Sequence, residues 1–83
     1  MEGAMADKVS AYILVQTEVN AAQVAQDIKT IEGVESADDV SGPYDVIVRA
    51  TAADMDSLGK MVVARVQTVE GISRTLTCPV VVL

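Results

Sequence analysis

The chain has 83 residues, twelve of them Asp or Glu and six Lys or Arg, for a formal charge of -6, and it contains no His, Trp or Phe and one Cys. Cations scattered through an acidic chain do not make the clustered Lys and Arg that a nucleic-acid backbone requires. Without His the commonest general base, metal ligand and triad member are all missing. Cys78 is alone, which rules out an intramolecular disulfide and suits a reducing, cytoplasmic compartment.

A domain of this size buries only about 60% of what its unfolded chain exposes. At 51% hydrophobic residues with two aromatics, it holds more Val, Ile, Leu and Ala than one small monomer can hide, so a partner surface is expected. The apolar run Ala11 to Val15 is far too short to span a membrane. Met1 to Ala6 has neither the cationic nor the apolar region of a signal peptide, and Met5 could itself be a start. Residues 1–7 are therefore set apart as a disordered N-terminus or expression remnant, and 8–83 are read as one domain.

In chain order, Val9 to Thr17 alternates Val9, Ala11, Ile13 and Val15 with Ser10, Tyr12, Leu14 and Gln16, the pattern of a strand whose second face is also partly apolar. Ala21, Val24, Ala25, Ile28 and Ile31 then fall at three- and four-residue spacing, an amphipathic helix. Gly33 supplies a left-handed cap before Val34 to Val40, a second strand. Ser41-Gly42-Pro43-Tyr44 signals a hairpin loop into a third strand, Tyr44 to Thr51.

The second half repeats the first. Thr68-Val69-Glu70-Gly71-Ile72 matches Thr30-Ile31-Glu32-Gly33-Val34, with Thr, Glu and Gly kept and β-branched residues exchanged. Upstream, Met55, Leu58, Val62, Val66 and Val69 make a helical stripe that opens with Asp54 and Asp56 at the positive end of the dipole, and Gly59 is its weak interior position. Met55 and Met61 read as core or interface filler. In strand four, Ile72 and Leu76 are assigned to the helix side, leaving Ser73, Thr75 and Thr77 on the other. Pro79 is expected to break the ladder and send Val80 to Leu83 toward a neighbour's sheet. The order βαββαβ, with right-handed crossovers, gives an α+β ferredoxin-like sandwich: a four-stranded antiparallel sheet with both helices on one face. The uncovered face is expected to pack against another subunit.

No catalytic constellation is evident, and neither a catalytic nor a metal site nor a cofactor is assigned. Cys78 lacks an imidazole partner, Asp38-Asp39 lacks the spacing of a calcium loop, and no phosphate-cradling glycine motif occurs. Gly42-Pro43-Tyr44-Asp45 has two readings. It is either a hairpin turn whose Asp45 ties backbone amides, or part of a pocket in which Gly42 admits close approach, Tyr44 forms a wall and Asp45 accepts from an ammonium group.

Ile31-Glu32-Gly33-Val34, Ser41-Gly42-Pro43-Tyr44-Asp45 followed by Val46-Ile47-Val48, Val69-Glu70-Gly71-Ile72 and Thr75-Leu76-Thr77 together resemble the effector-binding (RAM) domain of the Lrp/AsnC, or feast/famine, regulators over about Val9 to Val82. The resemblance implies a homodimer formed through the sheets, assembly into an octamer or decamer, and an amino-acid effector bound between subunits by Gly42, Tyr44, Asp45, Thr75 and Thr77. It implies a non-enzymatic role in transcription regulation of amino-acid metabolism. Those regulators carry a helix-turn-helix, for which only about eight residues are available before strand one, so the chain is expected to be a stand-alone member that co-assembles with full-length Lrp/AsnC regulators. Two other readings are a dimeric α+β barrel enzyme, for which Tyr12, Tyr44 and Arg49 are the available polar groups, and an ACT-like or purely structural oligomerisation module.

Overall fold

The computed structural model describes residues 8–18 and 21–81. Residues 1–7, and Val82 and Leu83 of the apolar tail, lie outside the described residues. The elements are β1 (Val9–Thr17), α1 (Ala21–Lys29), β2 (Val34–Asp39), β3 (Val46–Ala52), α2 (Met55–Met61), which continues as a π-helical segment (Val62–Val66), and β4 (Ile72–Pro79). The strands form one antiparallel sheet in the order β2-β3-β1-β4, the ferredoxin-like βαββαβ arrangement. No helix among the described residues is long and apolar enough to cross a membrane.

The alternation in β1 settles which face is the core. Ala11, Ile13 and Val15 are fully buried, as are Val46, Val48 and Ala50 opposite them on β3. Against this surface pack Val24, Ala25 and Ile28 of α1, and Leu58, Val62 and Val66 of the second helix. Buried residues four apart drift around an α-helix of 3.6 residues per turn, and a wider turn corrects the drift. The Gln67 amide accordingly reaches back five residues to the Val62 carbonyl, at 2.9 Å.

The internal repeat is a repeat of hydrogen bonding. Gly33 and Gly71 stand at φ 97° and 100°. Before them the Ile31 and Val69 amides donate to Ile28 and Val66, and after them the Val34 and Ile72 amides donate to Ile31 and Val69. The Gly33 carbonyl accepts from Thr51 at the end of β3, and the Gly71 carbonyl accepts from Glu18 just past β1. Each duplicated turn thus ties the exit of a helix to the far end of a strand.

Three features depart from the sequence pattern. Met55 is 49% exposed, and Met61 packs on the core in its place. Both residues flank Leu58 by about 60° around the helix, but the Gly33 turn lies on the Met61 side. In β4, Gln16 pairs with Arg74 and Thr17 with Ile72, which leaves Ser73 as an extra residue at a bulge. Ile72 still meets the core, yet beyond the bulge the parity flips. Thr75 and Thr77 stand opposite buried Val15 and Ile13 on the helix side, and Leu76 pairs with Leu14 on the uncovered side. The expected outward row of Thr hydroxyls is therefore wrong. Finally, Pro79 does not end the ladder, because it pairs with Ala11 and the Val80 amide donates to Ser10 at 2.9 Å. The edge position of β4 accommodates a residue without an N–H.

Two outcomes follow from the turns and caps. A Cβ on Gly33 would stand 2.9 Å from the Thr51 carbonyl oxygen, in a left-handed backbone. Gly33→Ala should therefore cost about 2 kcal/mol or more in urea unfolding, and an unchanged midpoint would refute the assignment. Asp54, in extended backbone, caps α2 by accepting from the Ser57 amide at 2.7 Å. Hydrogen bonds from the Ser57 amide and side chain, with a smaller contribution from the Lys60 charge, hold the Asp54 carboxyl below its ordinary pKa. Its stabilisation is present above the usual carboxylate range and disappears as pH falls through the depressed value. The melting-temperature gap between wild type and Asp54→Asn should narrow on acidification from pH 7 to below 3; a gap independent of pH would contradict it.

Candidate functional site

The β2–β3 loop is pinned to the end of β1. The Val40 amide donates to the Asp45 carbonyl at 2.9 Å and closes the loop. The Asp45 amide donates to the Val15 carbonyl at 2.9 Å, while its carboxylate Oδ2 accepts from the Thr17 amide at 2.8 Å. Gln16 Nε2 adds a bond to the Pro43 carbonyl at 2.9 Å. Asp45 thus ties a backbone amide, the turn role among its two sequence readings. Oδ2 serves that bond, and Oδ1 remains for a second partner.

Gly42 has neither a positive φ nor any atom within 4 Å of the place a Cβ would occupy. Nothing among the described residues therefore requires glycine there. Tyr44 is half-buried beside it. Thr75 and Thr77 lie on β4, with Thr75 opposite Val15, whose carbonyl holds the Asp45 amide. The loop and Thr75 consequently share one end of the sheet, separated by two strand spacings, or about 10 Å. The Thr75 hydroxyl accepts from Gln67 Nε2 at 2.8 Å, which draws it toward the helices. One chain gathers Gly42, Tyr44 and Asp45 in a single loop and leaves Thr75 and Thr77 on the helix side of the edge strand.

The uncovered face of the sheet has its own organisation. Ile47, Leu14 and Leu76 run side by side across β3, β1 and β4, with Leu76 48% exposed. Beside this row, Arg49 Nη1 donates to the Tyr12 hydroxyl at 2.7 Å, and its Nε reaches Glu35 Oε1 at 3.1 Å. The guanidinium carbon stands 5.2 Å from the Tyr12 ring centroid, within cation–π range. The Glu35 carboxylate, then Tyr12, raise the Arg49 pKa above its ordinary value. The pair is open to water and contributes little to stability, but it fixes the direction of the Tyr12 ring. Glu35 escaped notice in the sequence because it is the extra residue of a bulge between Val34 and Ser36.

These features define a ferredoxin-like sandwich with one uncovered sheet face and a stapled hairpin loop at its edge. The family described as the Lrp/AsnC ligand binding domain matches residues 10–81, and the chain belongs to it. An uncharacterised HTH-type transcriptional regulator of Pyrococcus furiosus, PF0250, is 31% identical over 55 residues, or 66% of this chain and 37% of that protein. A homocitrate synthase of Sulfurisphaera tokodaii is 32% identical over 73 residues, or 86% of this chain and 16% of the synthase. The chain thus spans only a minor part of either relative's length.

Among solved structures, TTHA0845 of Thermus thermophilus superposes with a TM-score of 0.84 at 24% identity, covering 90% of this chain and 95% of that one. The feast or famine regulatory protein Rv3291c of M. tuberculosis, complexed with L-methionine, gives 0.79 at 19% identity over 100% of this chain and 56% of its own. At these identities the likeness is one of fold.

The bond from the Thr17 amide to the Asp45 carboxylate gives a direct test. Asp45→Ala leaves the part-buried Thr17 amide without its acceptor and should destabilise the chain by about 1–3 kcal/mol, whereas Asp45→Asn retains an oxygen and should cost much less. Equal losses in chemical denaturation would show that the bond to Thr17 is not what the carboxylate supplies.

Proposed function

We propose that the domain is a non-catalytic sensor of an amino acid, which seats against Gly42, Tyr44 and Asp45 with Thr75 and Thr77 nearby, in a site completed by another copy of the chain. The supporting observation is Gly42. The fold imposes no need for glycine at that point, and the open space around it leaves the loop backbone accessible to a ligand approaching from outside. The loop is held rigidly by four hydrogen bonds to its closing strand and to β1, which suits a preformed binding edge. Asp45 has acceptor capacity left for an ammonium group.

Membership in the Lrp/AsnC ligand-binding family supports an effector-binding role. The methionine complex of the M. tuberculosis neighbour makes L-methionine the first ligand to try. Likenesses to an HTH-type regulator and to a segment of a synthase both fit a module that reports an effector to a partner. The uncovered row of Ile47, Leu14 and Leu76 is the surface through which copies pair as a dimer, from which a larger ring assembles. Full-length Lrp/AsnC regulators are the partners this role calls for.

Calorimetric titration with each of the twenty amino acids tests the reading. One or a few should bind saturably to wild type. Gly42→Leu should retain the wild-type melting temperature, because open space surrounds the position, and should lose at least about tenfold in affinity, equivalent to about 1.4 kcal/mol. Wild-type affinity in Gly42→Leu, or no binding of any amino acid to wild type, would overturn the proposed site.

A further inference from the structure

At the opposite end of the sheet from the Gly42–Asp45 loop, a cavity of about 690 Å³ is lined by Lys8, Lys60 and Arg65. Half of the six Lys and Arg residues of this acidic chain therefore converge on one concavity. Among the described residues Glu32 is the carboxylate of the lining, and the hydroxyl residues Thr51 and Ser57 belong to its polar wall. Among the described residues the ion pair formed is Arg49–Glu35, on the uncovered face, so none of the three cavity cations has a described carboxylate within 4.0 Å. Like charges gathered in a cleft repel one another and focus a positive potential into it.

The helix geometry contributes to this convergence. Lys60 and Arg65 are five residues apart, a spacing that an α-helix would direct about 140° away from each other. The π-helical segment Val62–Val66 widens the turn between them, and both line the cavity. Such wide turns are frequent at functional sites.

We propose that this cavity binds a small oxyanion of at least two negative charges, through the fork of Arg65 and the ammonium groups of Lys60 and Lys8. A planar guanidinium takes two oxygens of a phosphate or carboxylate at once, and the two lysines act as point charges. With Glu32 in the lining and the Asp54 carboxylate close enough to feel the Lys60 charge, the three cations keep a net local charge of about +1 among the described groups, which a dianion more than offsets. The site is separate from the one proposed for an amino acid: Thr51 and Ala52 end β3, whereas Asp45 precedes it. The seven residues of the strand put about 20 Å between them.

The test is NMR titration of the full chain with inorganic phosphate and, separately, with succinate, at fixed pH and ionic strength. Saturable shifts of the Ser57, Lys60 and Arg65 amides are expected with at least one anion, and the tighter of the two identifies the site as one for phosphoryl or for carboxylate ligands. Arg65→Gln and Lys60→Gln should each weaken that binding about tenfold or more, the loss of one charge-assisted hydrogen bond. Lys29→Gln, which removes a charge outside the cavity, should leave it unchanged. Absence of saturation with both anions, or equal weakening by Lys29→Gln, would overturn the proposal. Neither result bears on amino-acid binding at Asp45, so the two sites stand or fall separately.

Discussion

Ala11, Ile13 and Val15 allow no solvent contact on one side of β1, and every other part of the molecule is placed by that fact. β1 pairs with β3 on one edge and β4 on the other, so its apolar row brings both neighbours into the same layer. Both helices lie over that layer, and their buried residues meet the same strands. Two helices suffice to cover one face only. Tyr12, Leu14 and Gln16, on the reverse of the same strand, must then find cover elsewhere or remain in water. The end of β1 carries the stapled loop, and its beginning follows Lys8 at the cavity. One strand therefore orders the core, the candidate amino-acid site and the cationic pocket.

The duplicated glycine turns act as a second frame. Because Gly33 and Gly71 each offer a carbonyl to an amide at a strand's end, the two halves close on one another with the same local chemistry. The repeat in the sequence is the trace of this pairing. It made the element order and the left-handed glycines readable without a structure, since a glycine between a helical stripe and a β-branched residue has few other uses.

What the sequence hid is instructive in physical terms. A strand's parity holds only until a bulge, and the single extra residue Ser73 carried Thr75 and Thr77 to the face opposite the expected one. Glu35 was hidden by the corresponding irregularity in β2. Lys8, Lys60 and Arg65 read as scattered charges along the chain, because nothing in a linear pattern announces that a strand's start and a widened helical turn will meet. Asp45 was legible as a polar loop residue, but whether it served the backbone or a ligand depended on a contact across 28 positions. Local rules found elements; long-range register decided what the elements presented.

The uncovered face, with Ile47, Leu14 and Leu76 in a row, is proposed as the surface where copies of this chain meet. Sedimentation equilibrium on the purified protein at micromolar concentration, for wild type and Leu76→Glu, tests it most directly. A mass of two or more chains is expected for wild type, and a shift toward one chain for the variant, with its secondary structure retained. A wild-type protein sedimenting as a single chain, or a variant with an unchanged assembly, would contradict it.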